Sequence, residues 1–208
     1  RYSFFSSTGT IATGVTTSYT WTPPVSLAAQ IPNAASGWGT ILCDTYVNGN
    51  LVSTNTCAFQ LTVPASVIPS ISSVSIAEAT SGVADRFGGY VRTRSKLSVS
   101  ITAAGTQGSS ISAYRTSIDS VTYSGASFTT NTLITAGSLT MTITVTDSRG
   151  RTASATRTVT VLDYSPPSLS QFTAERCNTD GTAAQTDGTK VRISAKASGS
   201  SVGGKNTL

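Results

Sequence analysis

No histidine occurs anywhere in the sequence, and that absence removes more chemistry than any other feature. With it go the commonest general base, the usual partner of a serine or cysteine nucleophile, and the commonest nitrogen ligand for zinc or copper. Glutamate is nearly missing as well, with Glu78 and Glu175 its only occurrences. A glycosidase needs two carboxyls facing one bond. Aspartate could supply them, but the nine acids are scattered singly, mostly in apparent turns. The expectation is a protein with no catalytic residues, no cofactor and no transition metal, and therefore not an enzyme.

Cysteine is scarce and odd in number: Cys43, Cys57 and Cys177. Their spacing matches no zinc motif, and an odd count argues against a pure disulfide framework. A tight hairpin centred on Asn48-Gly49 would pair position 43 with position 54, leaving Cys57 out of register. A disulfide would then need a bulge or a neighbouring strand to bring the α-carbons within about 7 Å. Small buried hydrophobes are the favoured reading of both, with a bond left open.

The chain opens on Arg1 without a charged-then-apolar leader, and no apolar run approaches the ~20 residues of a membrane helix, so no membrane insertion is expected. No Asn-X-Ser/Thr glycan acceptor is present, which disfavours a eukaryotic secreted source. Charged residues make up only 11% and are unevenly placed. Up to residue 85 one base faces three acids; from Arg86 onward 13 bases face 6 acids. The bases are dispersed among turns and outward strand positions, with no interleaved aromatics to stack on bases. A solvated surface is favoured over nucleic-acid binding, and an anionic cell-wall or membrane surface would suit the charge.

What the chain has in quantity is serine and threonine, 69 of the 208 residues. Both compete with the helical backbone for hydrogen bonds, whereas threonine fits a pleated strand. The apolar fraction of 38% suits strands that bury one face. Leu139, Met141, Ile143 and Val145 alternate with Thr140, Thr142, Thr144 and Thr146, the period of a half-buried strand. Asp147-Ser148-Arg149-Gly150 reads as the following turn. Thr156 to Leu162 returns from it, with Val159 and Val161 inward. Leu97, Val99, Ile101 and Ala103 mark an earlier strand. A short helix is expected over Val25 to Gln30, since Pro tolerates a helix's first turn.

The chain also repeats itself. Pro69-Ser70-Ile71-Ser72 returns as Pro167-Ser168-Leu169-Ser170, and Lys96-Leu97-Ser98-Val99-Ser100 returns as Lys190-Val191-Arg192-Ile193-Ser194. The Asn48-Gly49 turn and the strands around it match those around Gly150. A period of nearly a hundred residues is the size of a β-sandwich. Pro-containing junctions at 63–69 and 164–167 divide the chain into a partial sandwich at 1–68, a complete one at 69–166 and the truncated start of a third at 167–208. The fold class expected is all-β: tandem antiparallel β-sandwiches, the terminal ones incomplete. Either the polypeptide continues in both directions or neighbouring chains complete the open edges; continuation is the simpler idea.

A set of strings carries a resemblance: Ser18 to Pro24, Ile31 to Ala34, Gly89-Tyr90-Val91, Gly108 to Tyr114, Thr146 to Thr152, and Tyr164 to Pro167. In this order and spacing they resemble immunoglobulin-like repeat domains of tail proteins from bacteriophages infecting Gram-positive bacteria. The resemblance implies immunoglobulin-like sandwiches and an extracellular virion component. That component would be a tail fibre or tail-tip protein whose domains act as spacers and candidate host-surface adhesion modules. It implies other tail proteins as partners and a host cell-wall surface as a contact. A homo-oligomer is expected because it would cover the strand edges that a truncated third domain leaves open, with a trimer preferred by analogy with phage fibres. The resemblance carries over no site residues. Trp21 is read as core or a domain-to-domain contact. Trp38, between two glycines, is the one candidate surface contact, because a loop-borne Trp could stack on a sugar or a partner. The Asp147 turn offers one carboxylate, too few for the 6–8 oxygens calcium takes. The alternative is a repetitive bacterial surface adhesin. Isopeptide-crosslinked adhesins need a Lys in each domain core, and residues 1–68 contain none.

Overall fold

A computed structural model describes residues 1–184 and 186–205, and it is all-β. The strands are β1 (Tyr2–Phe4), β2 (Ser7–Gly9), β3 (Ser36–Val47), β4 (Asn50–Thr62), β5 (Ser70–Glu78), β6 (Tyr90–Val91) and β7 (Leu97–Ala104). They continue with β8 (Ile111–Ile118), β9 (Val121–Ser124), β10 (Ser127–Thr129), β11 (Gly137–Asp147), β12 (Thr152–Leu162), β13 (Ser168–Cys177) and β14 (Lys190–Ser198). A five-residue helix, α1 (Val83–Phe87), follows β5, and the helix expected at Val25–Gln30 is a 3-10 segment. The sheet orders are β2-β1-β3-β4, β10-β7-β5, β6-β12-β11-β8-β9 and β13-β14. Pairing is antiparallel in the hairpins, but β6 runs parallel to β12, with Tyr90 beside Val161. That departs from a purely antiparallel expectation: β6 is delivered by α1 and not by a hairpin, and only a hairpin return enforces opposite direction.

The chain forms two compact units, one of residues 1–75, 100–128 and 142–157, the other of residues 76–99, 129–141 and 158–208. In the first, Phe4, Leu27, Ala28, Ile31, Val63 and Val67 form a buried cluster, with Tyr2, Trp21, Phe59 and Leu61 against it. Trp21 stacks on Tyr2 with ring centroids 5.0 Å apart and meets Phe59 edge-on at 5.8 Å, a core position. Aromatic pairs of this kind contribute about 1 kcal/mol beyond their area. Ile101, Ile118, Ile143 and Val145 are buried in the same unit.

The β3–β4 hairpin corrects the reading of the cysteines. A bulge between Thr45 and Tyr46 shifts the register, so that Cys43 faces Asn55 and Ile41 faces Cys57. Both cysteines are free and exposed, not buried; Cys177 is free and buried. The reason is the reach of the core. Cys57 shares a strand face with Phe59 and Leu61, which pack on the cluster around Phe4, but it lies further along the hairpin, beyond the covered stretch.

In the second unit Leu97, Val99, Leu133, Met141, Val159 and Val161 are buried. Every residue expected to face inward is buried across the two units except Leu139, which is half-buried, while Thr140 is exposed and Thr142 half-buried. Val83, Val91 and Val202 form a further cluster with Phe87, Leu162 and Tyr164. The sequence repeat is visible down to single hydrogen bonds. Ser72 Oγ donates to the Thr102 carbonyl at 3.1 Å, and Ser170 Oγ donates to the Lys196 carbonyl at 3.2 Å. These are the same positions of the β5/β7 and β13/β14 segments.

Candidate functional site

The most heavily constructed feature of the molecule is the turn between β11 and β12, within the first unit. Asp147 and Gly150 close it: the Gly150 N–H donates to the Asp147 carbonyl at 2.9 Å, and the Asp147 N–H donates to the Arg151 carbonyl at 2.8 Å. Gly150 has φ of 78°, where a side chain would be strained. The buried Asp147 carboxylate accepts the N–H groups of Arg149 at 3.0 Å and Arg151 at 2.9 Å. Burial pushes this carboxyl up, but the Arg151 N–H, the Ser109 hydroxyl, the Arg149 N–H and the charge of Arg149 together outweigh it and hold the carboxyl below its ordinary value. Its backbone N–H partners come from its own turn, which is the reason sequence supplies an Asp there.

The two arginines project from this turn into backbone oxygens. Arg149 is buried, and its guanidinium donates to four carbonyls: Nε to Ile31 at 3.1 Å, Nη1 to Thr106 at 2.9 Å, Nη2 to Ala28 at 2.8 Å and also to Gln107. Arg151 donates from Nη1 to Val67 at 2.8 Å and to Pro64, and from Nη2 to Val63. Ser148 Oγ donates to the Pro32 carbonyl at 2.6 Å. The acceptors belong to the end of the 3-10 segment, to the Pro-containing stretch 63–67, and to the loop after β7. That loop closes from its side: Thr106 Oγ1 donates to the Ile68 carbonyl at 2.9 Å. At Gly108, with φ of 79°, a Cβ would lie 3.2 Å from the α-carbon of Ala29.

A planar fork with five donors suits this task and an ammonium does not. Helix-end carbonyls carry partial negative charge, so a guanidinium set among them is favoured. Each charge-assisted bond contributes about 1.5–3 kcal/mol. The arrangement can hold three separate stretches of backbone in one geometry. It offers no nucleophile and no acid–base pair. Among the described residues no group of three or more His, Cys, Asp and Glu could hold a metal, and no helix is long and apolar enough to cross a membrane.

Trp38, the surface contact expected from sequence, lies on strand β3 and not in a loop. It is 65% exposed, opposite Gln60. Its flanking glycines are explained by the other face of the strand. A Cβ at Gly37 would meet Phe5, Ile31 and Phe4, and one at Gly39 would meet Phe59 and the Ser3 carbonyl. Close packing on one side therefore leaves the indole outward on the other. The structure does not bring Trp38 together with the arginine turn. The role of Arg149 and Arg151 is what sequence reading missed, although a signal was present. Two arginines flank the glycine of one hairpin turn, while the matching Asn48-Gly49 turn has none.

A family described as siphovirus protein of unknown function matches residues 1–206. No curated protein and no solved structure matches the chain.

Proposed function

We infer a tail role from one premise: this chain belongs to a family of siphovirus proteins of unknown function. As a phage protein of all-β architecture, with no acid–base constellation among the described residues, it is a structural component of the virion tail, in a fibre or at the tail tip, and not an enzyme. Its domains are immunoglobulin-like repeats at 1–68, 69–166 and, truncated, 167–208, acting as spacers and candidate adhesion modules for the host surface. Strand neighbours support this: the orders β10-β7-β5 and β12-β11-β8 are those of strands E-B-A and G-F-C in an immunoglobulin sandwich. Siphovirus membership also favours the phage reading over a bacterial surface adhesin.

The observation that carries the spacer reading is the buried Arg149 guanidinium, which joins the turn of the second repeat to backbone of the first. A flexible tether would need no such joint, whereas a spacer that must point in a fixed direction does. The chain works with other tail proteins and as a homo-oligomer, for which a trimer is preferred, and it binds neither nucleic acid nor cofactor. Trp38 is the candidate contact with host wall or partner.

Immunogold labelling of intact particles with antibody against this chain tests the placement. Gold on the tail or its tip supports it; gold confined to the capsid, or no virion label while the protein is abundant in infected cells, overturns it. Binding of the purified chain to host cells, weakened by Trp38→Ala, tests the adhesion part.

A further inference from the structure

The second unit holds an open cavity of about 400 Å³ whose polar wall is made by Arg86, Arg94, Tyr164 and Ser81, over Val83. Arg94 lies over the Tyr164 ring, its guanidinium carbon 4.9 Å from the centroid, and Nη2 donates to the Tyr164 hydroxyl at 3.2 Å. That contact holds the planar guanidinium at the ring and leaves most of its donors free. Arg86 is carried by α1, whose backbone is fixed there by the Arg86 N–H donating to the Gly82 carbonyl at 3.2 Å. Among the described residues no carboxylate lines the cavity. The ion pairs of this unit are Arg92 with Asp163 and Arg192 with Glu175, so neither Arg86 nor Arg94 is neutralised by an acid among the described residues.

Two like charges facing one concave space raise the local potential for an anion. Two guanidinium forks and a serine hydroxyl supply more donors than a carboxylate's two oxygens use, and they match the three-oxygen face of a phosphate. The tyrosine ring and Val83 add an apolar wall against which the carbon skeleton of an ester would lie. The volume exceeds that of a bare ion.

We propose that this cavity binds a phosphate group, carried by a small organic ester. The site is separate from the arginine turn and does not depend on the tail assignment. Free inorganic phosphate presents the same chemistry, so both probes belong in the test.

The experiment titrates the full chain with inorganic phosphate and with glycerol 3-phosphate at fixed ionic strength, read by calorimetry and by arginine side-chain NMR signals. Saturable binding that shifts Arg86 and Arg94 is expected. Arg86→Gln and Arg94→Gln should each weaken it about tenfold. Arg157→Gln, an exposed arginine outside the cavity, should leave it unchanged. Tighter binding of glycerol 3-phosphate identifies a phosphate ester, and equal binding identifies the free ion; both support a phosphate site. Absence of saturation, or equal losses from Arg157→Gln and Arg86→Gln, would overturn it, since general charge attraction would then account for any shift. Arg86 is exposed on its helix, so its variant keeps the test usable if Arg94→Gln perturbs folding.

Discussion

Two hairpins in the first unit, about a hundred residues apart, have the same design and opposite fates. The β3–β4 hairpin ends in Asn48 and Gly49, both at positive φ (48° and 82°), as a two-residue turn requires. Its tip ends in air: Tyr46, Val47, Leu51 and Val52 are all exposed. The β11–β12 hairpin ends in Asp147 to Gly150, and its tip is held by eight side-chain hydrogen bonds from Ser148, Arg149 and Arg151 to carbonyls elsewhere in the unit. The turn residues account for the difference in docking. A turn built only to reverse the chain needs Asn-Gly; a turn built to dock needs a carboxylate that organises it and cations that reach out from it.

Removing the docking groups should have the largest effect. Arg149→Ala leaves buried carbonyls without their donor and is expected to destabilise the protein by about 3 kcal/mol, roughly 10 °C in Tm. Arg149→Lys should recover only part of this, because an ammonium cannot reproduce the fork. Asn48→Ala at the free tip should cost about 1 kcal/mol or less, from its positive φ alone. Thermal unfolding of the three variants side by side decides the matter; equal losses at both turns would remove the distinction.

Glycines sharpen the same contrast. Gly108 and Gly49 have nearly the same φ, but a Cβ at Gly108 meets Ala29, whereas one at Gly49 meets nothing within 4 Å. Gly108→Ala should therefore cost about 1 kcal/mol more than Gly49→Ala, since both share the left-handed strain and one adds a steric term. Chemical denaturation measures both, and identical midpoints would show that the approach of the loop to Ala29 is loose.

The repeat offers a third comparison. Val99 on β7 is buried, while the matching Ile193 on β14 is 64% exposed. Val99→Thr buries a hydroxyl and should cost about 2 kcal/mol, whereas Ile193→Thr should stay within about 0.5 kcal/mol. A large loss at Ile193 would mean that its face is covered in solution.

The smallest effect is electrostatic. The Arg1 guanidinium, helped by the Thr54 hydroxyl, holds the Asp44 carboxyl down to about 2 from 3.8. Since the folded value lies below the unfolded one, this pairing stabilises fully above about pH 4 and is lost as pH falls through about 2. Carboxyl NMR titration should place the Asp44 midpoint near 2 and move it upward in Thr54→Ala. An unshifted midpoint near 3.8 would show that the pair does not persist in solution.

Much of the fold was legible because alternation is a direct record of burial: Met141, Ile143 and Val145 are inward as their period requires, and the repeat located β5, β7, β13 and β14. The cysteines were misread because period gives the face of a strand but not whether another layer covers it. The bulge at Thr45 was invisible for a related reason: two sequences of similar pattern pair equally well with or without one extra residue. Trp38 was taken for a loop residue because flanking glycines usually signal a break, whereas here they make room for Phe4, Phe5 and Phe59. The arginine turn escaped because its partners are backbone carbonyls, which every residue has and no side-chain pattern announces.

The central claim is that Arg149 and Arg151 fix the stretch carrying β4 relative to the stretch carrying β8. Backbone residual dipolar couplings test it most directly, measured on Asn50–Thr62 and Ile111–Ile118 in the wild type and in the Arg149→Ala/Arg151→Ala double variant. The expected result is one alignment tensor fitting both strands in the wild type and two different tensors in the variant. Two tensors in the wild type, or a single shared tensor surviving the loss of both arginines, would contradict it.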